Sequence, residues 1–250
     1  MRRLLGTSIA ALLIAQAPGL ALADTFDPAA RQEIRQIVKD YLMEHPEVIL
    51  EAVQALQDRQ EQQRADQARG QIASFRDQLL RDARDPVIGN PKGDITLVEF
   101  FDYRCGYCKQ AQPVLAELIK SDPKLRVVLK EFPILGPDSL VASKAALAAL
   151  AQGKYPAFHE ALIATRGTLT DDKIMDVAKA AGLDTVKLKA DMEKPEIAAH
   201  IGDVHGLAQK MEINGTPSFI IGDTLVPGAV DLETLKKLVA EARKACAGTC

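Results

Sequence analysis

Phe100-Phe101-Asp102-Tyr103-Arg104-Cys105-Gly106-Tyr107-Cys108-Lys109 decides how this chain is read. The apolar run from Ile95 to Phe101 leads into it. A helical pattern follows, with Ala111, Val114, Leu115, Leu118 and Ile119 recurring at spacings of three and four. The two cysteines therefore stand where a buried strand turns into the first turn of a helix. Unpaired N–H groups and the positive end of the helix dipole favour an anion there. That setting lowers the pKa of Cys105 and makes its thiolate, the form that attacks disulfides, available near neutral pH. Cys108, one turn on, is placed to attack the resulting mixed disulfide and resolve it. A zinc half-site and a static disulfide are the other readings of a Cys-x-x-Cys pair. Four-cysteine zinc sites need a second such pair at knuckle spacing. The remaining cysteines, Cys246 and Cys250, have three residues between them and close the chain. Strand, Cys-x-x-Cys and helix in that order favour redox chemistry.

The stretch resembles the active site of thioredoxin-fold oxidoreductases. Phe-Phe-Asp-Tyr-x-Cys-x-Tyr-Cys-Lys is most similar to the DsbA-like branch. Glu99, six residues before Cys105, falls where that family carries a buried acidic residue beneath the resolving cysteine. Gly215-Thr216-Pro217 matches the family's cis-proline loop, which lies against the disulfide. The resemblance covers about residues 87 to 240, interrupted by a helical insertion. It implies an α/β thioredoxin fold with Cys105 as nucleophile, Cys108 as resolving thiol and Glu99 as proton shuttle. A buried carboxyl has the raised pKa suited to that work; an edge-exposed strand residue is the plainer reading of Glu99. Thr216, Pro217, Gly106 and Tyr107 are then the substrate-facing residues, with Thr216 backbone groups open to strand-like pairing. Cys-Gly-Tyr-Cys and a threonine before the proline resemble the isomerase type more than the oxidase type. No organic cofactor and no resident metal are implied.

The 250-residue chain opens Met1-Arg2-Arg3, continues with an apolar stretch from Leu4 to Ala15, and reaches Ala21-Leu22-Ala23, a small-x-small cleavage site. Residues 1–23 read as a secretory signal peptide, too short and wrongly flanked for an anchor. Its removal takes two arginines from a chain of net charge −3 and leaves −5, with the basic residues scattered, which argues against nucleic acid. Export places the protein in an oxidising compartment, and the arrangement resembles bacterial periplasmic proteins. Tryptophan is absent and aromatics make up 4%, so the core is expected to be aliphatic.

Asp27-Pro28 reads as a helix cap and first turn. Ile34, Ile37, Val38, Tyr41 and Leu42 follow on one face, and a second helix from Pro46 carries Val48, Ile49, Val53 and Leu56. These two helices, 27–44 and 46–56, are too small to bury their apolar faces alone. They pack on the body of the chain or on copies of themselves. Residues 57–71 are almost wholly Gln, Arg, Asp, Glu and Ala, a solvated helix or semi-rigid linker that favours self-association. The segment Glu44-His45-Pro46-Glu47-Val48-Ile49-Leu50-Glu51-Ala52 resembles the N-terminal region of ScsC-type proteins, where such a region forms an oligomerisation stalk.

Residues 24–71 are thus expected as an N-terminal helical oligomerisation region and linker. Residues 72–250 are expected as the DsbA-like domain, with the helical insertion at about 137–210. One helical face is expected through Ile72, Phe75, Leu79 and Leu80; Leu125 to Phe132 reads as a strand parallel to the catalytic one. Ser218–Ile221 and Leu225-Val226 read as a hairpin about Gly222-Asp223, and Asp231 as the cap of a last helix. His45, His159, His200 and His205 are scattered and read as surface or boundary residues. The function implied is a periplasmic disulfide isomerase or reductase, forming a homo-oligomer with a trimer favoured. It would act on misfolded disulfide-containing proteins and draw electrons from a membrane-bound reductant of the DsbD/ScsB type. A DsbA-like oxidase is the nearest alternative. ScsC-type proteins are associated with copper tolerance, so an envelope copper-binding chaperone using the same thiols is the other.

Overall fold

The computed structural model describes residues 27–246, so the leader, Ala21-Leu22-Ala23 and Cys250 lie outside the described residues. The chain divides into two compact units between Arg59 and Gln60.

In the first unit, α1 spans Pro28–Glu44 and is capped by Asp27, whose carboxylate accepts the Ala30 N–H at 2.8 Å. His45 interrupts the helix and α2 (Glu47–Ser74) begins at Glu47, its residues from Gln60 on belonging to the second unit. No residue of α1 is buried. Ile34, Ile37, Val38, Tyr41, Ile49, Val53 and Leu56 are all exposed on the single chain. Beyond Leu56 α2 stays helical although it has no apolar stripe. Its Gln, Arg, Glu and Ala residues are good helix formers, and Gln54–Asp58 and Gln62–Asp66 hydrogen bonds at spacing four tie successive turns.

The second unit is built on a five-stranded sheet, ordered β1-β3-β2-β4-β5. The strands are β1 (Val87–Gly89), β2 (Ile95–Phe101), β3 (Leu125–Glu131), β4 (Ser218–Ile221) and β5 (Thr224–Pro227). β2 and β3 are parallel, as their crossover helix requires; every other pair is antiparallel. β2 is central and buried along its whole length, which explains its near-continuous apolar sequence. Glu99 is the acid within it, and it is buried, so the edge-exposed reading does not hold.

α3 (Arg76–Leu80) follows a break at Phe75, where the sequence pattern carries one helix through. Ile72 and Leu79 are buried with Val98, Phe100, Val128 and Ile220 on one face of the sheet. The other face is covered by α4 (Gly106–Ser121), α10 (Leu232–Ala245) and the helices between β3 and β4, the last of which buries Ile197 and Ile201 here and Val204, Leu207 and Ala208 against the first face. These are α5 (Pro137–Ala149), α6 (Tyr155–Ala164), α7 (Asp171–Ala180), α8 (Thr185–Met192) and α9 (Pro195–Lys210). α5 lies among α6, α8 and α9. Its buried Ala142, Ala145, Ala146, Ala148 and Ala149 let those helices approach closely. Asp231 caps α10 by accepting the Thr234 N–H at 2.8 Å. Cys246, just beyond it, is disulfide-bonded.

Candidate active site

The β2–α4 junction carries the two cysteines. Cys105 is the N-cap of α4, in extended conformation, and its Sγ accepts the backbone N–H of Cys108 at 3.2 Å. Its thiol hydrogen is directed at the Thr216 carbonyl, 3.2 Å away. Thr216 precedes Pro217 through a cis peptide, and the contact with Cys105 brings Gly215-Thr216-Pro217 to the cysteines from far along the chain. Both cysteines are free thiols. Cys105 is 6% exposed and Cys108 1%, while Tyr107 between them is 65% exposed. Gly106 faces open space, with no atom within 4 Å of where a Cβ would stand.

The two thiols differ in chemistry. Hydrogen bonding from Cys108, then from Thr216 and from the N–H groups of Cys108 and Tyr107, outweighs burial and brings Cys105 down to about 6 from an ordinary 9. Cys108 moves far upward, because its S–H is the donor to Cys105 and because it is buried. One proton thus sits on Cys108 and stabilises charge on Cys105. Burial, then the charge of Cys105 and of Glu131, raises the Glu99 carboxyl to about 8.

A second buried carboxylate organises the loop. Asp102 accepts the N–H of Arg104 at 2.7 Å, of Ile134 at 2.8 Å and of Leu135 at 3.0 Å, and the Ser139 hydroxyl at 2.7 Å. Its backbone carbonyl accepts the Cys105 N–H at 3.0 Å. The β2–α4 loop is therefore fixed to the β3–α5 loop. Arg104 adds a hydrogen bond to the Leu135 carbonyl. Gly136, at φ +115°, leaves room for that guanidinium: a Cβ there would lie 2.9 Å from it.

A DSBA-like thioredoxin domain matches residues 96–240, more than half of the chain. The chain belongs to the DsbA-like thioredoxin family. A second match, to the N-terminal domain of the copper resistance protein ScsC, covers residues 31–63. Among solved DsbA-like structures, a thioredoxin-like oxidoreductase from Silicibacter pomeroyi is 50% identical. It covers 68% of this chain and 98% of its own, with a TM-score of 0.66. A linker-deletion mutant of Proteus mirabilis ScsC is 30% identical, covering 89% of this chain and 99% of its own at TM-score 0.68. The thiol:disulfide interchange protein DsbA of Bordetella pertussis is 27% identical over 172 residues, 64% of this chain and 82% of that protein. The chain spans about a quarter of the length of other curated relatives, the Na+/H+ antiporters of the NhaA type. That of Salinispora arenicola is 32% identical over 162 residues and is covered to 25%.

The DsbA-like pattern locates Cys105, Cys108, Glu99, Thr216 and Pro217, and leaves other polar residues of the site unread. Glu131, the last residue of β3, is buried and accepts hydroxyl hydrogens from Tyr103 at 3.1 Å and Tyr155 at 2.8 Å. His159 lies 2.9 Å from the Tyr103 hydroxyl and stacks on Tyr155 with ring centroids 5.5 Å apart. Two of the histidines read as surface or boundary residues are in fact buried: His159 at 2% exposure and His200 at 3%. His159 belongs to this cluster. His200 stands 3.1 Å from Asp85, which pairs with Lys130 on the opposite face of the sheet. Glu99 is read from its place in the family's pattern, six residues before Cys105, whereas Glu131, next to Lys130 in a strand that also carries Arg126, has no such mark.

Proposed function

We propose that this chain is a periplasmic thiol-disulfide oxidoreductase that isomerises or reduces disulfides of secreted proteins through Cys105 and Cys108. The observation that carries this reading is the setting of Cys105 at the N-cap of α4, its Sγ accepting the Cys108 N–H at 3.2 Å and facing the Thr216 carbonyl at 3.2 Å. The Cys105 thiolate attacks a substrate disulfide; one S–S bond breaks, a mixed disulfide forms and a substrate thiolate leaves. In isomerisation that thiolate opens another substrate disulfide, and the newly freed thiolate displaces Cys105 with no net electron transfer. In reduction Cys108 attacks the Cys105 sulfur, giving its proton to Glu99 when that carboxyl is ionised, and the second substrate thiolate departs. The chain then carries the Cys105–Cys108 disulfide and needs two electrons from a membrane-bound dithiol reductant. Thr216, beside Cys105, presents backbone groups to an extended substrate, and Gly106 and Tyr107 form the open rim.

Residues 24–71 supply self-association in this reading. The exposed Ile34, Ile37, Val38, Ile49, Val53 and Leu56 gain roughly 25 cal/mol for each Å² removed from water between copies. Several Cys105 sites then face one substrate. The test is refolding of a scrambled multi-disulfide protein by the chain from residue 24, with Cys105→Ser as the control and light scattering for mass. Recovered activity from an oligomer is expected. A chain that only oxidises reduced substrate places it with the oxidases, and a monomer refutes the stalk.

A further inference from the structure

β5 ends the sheet, and its outer edge carries no strand. The β4–β5 hairpin has two loop residues, Gly222 and Asp223, with Ile221 opposite Thr224 and Phe219 opposite Val226. In a hairpin of that length the pair flanking the loop is hydrogen-bonded, and hydrogen-bonded pairs alternate along the strands. Thr224 and Val226 thus turn their N–H and C=O groups to β4, and Leu225 turns both of its own outward. Among the described residues nothing pairs with them. Such an edge is a template for another extended chain.

The end of α2, which belongs to the same unit, stands alongside. Gln67 donates to the Glu212 carboxylate at 2.6 Å and Gln71 to the Lys210 carbonyl at 3.0 Å, so the helix is tied to the α9–β4 connection. Between helix and strand lies a groove of about 470 Å³, with Arg64, Ala65 and Ala68 on one wall and Asp223, Thr224 and Leu225 on the other. The two alanines keep that wall low enough for a main chain to approach. A second cavity of about 330 Å³ is lined by Thr216, Pro217 and Gly228, and shares Glu212, Leu225 and Pro227 with the first. The Gly228 N–H donates to the Pro217 carbonyl at 2.8 Å, which joins the end of β5 to the cis-proline loop. One trough therefore runs from Thr216, whose carbonyl lies 3.2 Å from the Cys105 sulfur, along the bare edge of β5 to the flank of α2.

We propose that an extended segment of the disulfide-bearing substrate, some residues away from its reacting cysteine, adds to β5 in this trough and pairs with the N–H and C=O of Leu225. The inference rests on the thiol-exchange reading above and gives it a second binding surface. Continuity with the Cys105–Thr216 contact names the occupant, since a chain held at Cys105 has the trough as its path. Strand addition reads main chain, with side chains left to line the walls. The site therefore accepts unfolded polypeptide of many sequences and refuses a folded one whose backbone is already paired. Wall charges of both signs, Arg64 and Asp223, select no charge class. The last turns of α2 become part of the substrate surface, beyond their service as a linker.

The experiment gives the reduced chain, from residue 24 on, two disulfides. One is a small aromatic disulfide without main chain. The other is a peptide disulfide with an arm of about ten residues, roughly 33 Å when extended. Leu225→Pro removes the outward N–H and keeps the bonds to β4, because proline is tolerated where the lost N–H faces away from the sheet. It should lower kcat/KM for the peptide relative to the small disulfide by about three- to tenfold, mainly through KM, as the loss of one backbone hydrogen bond predicts. Ala68→Trp fills the groove from the helix side and should shift the ratio the same way; it serves if Leu225→Pro does not fold. On the wild-type chain, N-methylation of the peptide arm one amide at a time should weaken binding at the residue opposite Leu225 and spare its immediate neighbours. An unmoved ratio in both variants, or equal losses on both disulfides, overturns the inference and leaves the thiol reading standing. A mass in light scattering that falls in Leu225→Pro without peptide makes a second copy the occupant and overturns it as well. A chain that exchanges neither disulfide overturns both.

Discussion

Cys108→Ala tests the asymmetry of the thiols, because it removes the S–H that does most to hold Cys105 ionised. At pH 7 a thiol of pKa about 6 is about nine-tenths thiolate, against about one-hundredth for an ordinary 9. Thiolate supply thus rises roughly ninety-fold. Nucleophilicity falls with basicity, at a Brønsted slope of about 0.4 to 0.5, so three units cost each thiolate a factor of about 16 to 30. The net gain in attack rate is only about three- to six-fold. The larger consequence is in departure: a thiolate this stable is a good leaving group, so a disulfide at Cys105 is readily displaced. Alkylation rate against pH measures the ionisation directly. Wild type should show a midpoint near 6, and Cys108→Ala a higher one, still below 9 because Thr216 and the Cys108 and Tyr107 N–H groups remain. A wild-type midpoint near 9, or an unmoved one in Cys108→Ala, refutes the reasoning.

Asp102→Ala leaves four hydrogen-bond donors without their acceptor, each at about 1 to 3 kcal/mol, so denaturant unfolding should show a loss of several kcal/mol together with slower thiol exchange. Leu115→Ala empties a fully covered position between α4 and the sheet and should cost about 2 to 5 kcal/mol in the same measurement. Buried His159, with its pKa lowered to about 3, stays neutral while the unfolded chain takes a proton near 6.5. Its contribution is therefore full above about pH 6.5 and is lost as pH falls toward 3, a decline that a His159→Phe variant should lack in acid titration. Glu99 and Glu131 act oppositely. They hold protons that the unfolded chain gives up near 4.5, so their contribution is full below that and lost as pH rises through about 8, and Glu99→Gln should flatten the alkaline limb.

Much of the fold is legible because its strongest signals are local. The apolar β2, the stripe of α4 and the caps at Asp27 and Asp231 each act within a few residues. β1 escapes because three residues between Pro86 and Asn90 are too short to show a period, and pairing with β3 alone makes them a strand. The break at Phe75 escapes for a different reason: Ile72, Phe75, Leu79 and Leu80 keep helical spacing across it. His159 was readable. Tyr155, Phe158, His159, Leu162 and Ile163 form an unbroken helical stripe, and all five are buried, so the position follows from its neighbours although the residue type argues against it. Its partners Tyr103 and Glu131 lie on other elements, and no spacing announces them. Lys130 and Asp85 are hidden in the same way, by a pairing across 45 residues that neither residue reveals alone.

The Asp102 bracket also bears on how such a molecule changes over generations. The helices after β3 are a cassette joined to the sheet at two chain crossings, and the first crossing is fastened by one carboxylate to Ile134, Leu135 and Ser139. Recombination that replaces the cassette from Pro137 onward exchanges Ser139 but keeps Asp102. A donor segment without a hydroxyl at that place inherits a catalytic loop with one lashing cut. Chimaeras joined before Phe132 carry the whole receiving loop and leave the cysteine loop only its half of the joint to supply. Junction choice, more than the content of the exchanged helices, then governs which hybrids keep an ordered Cys105.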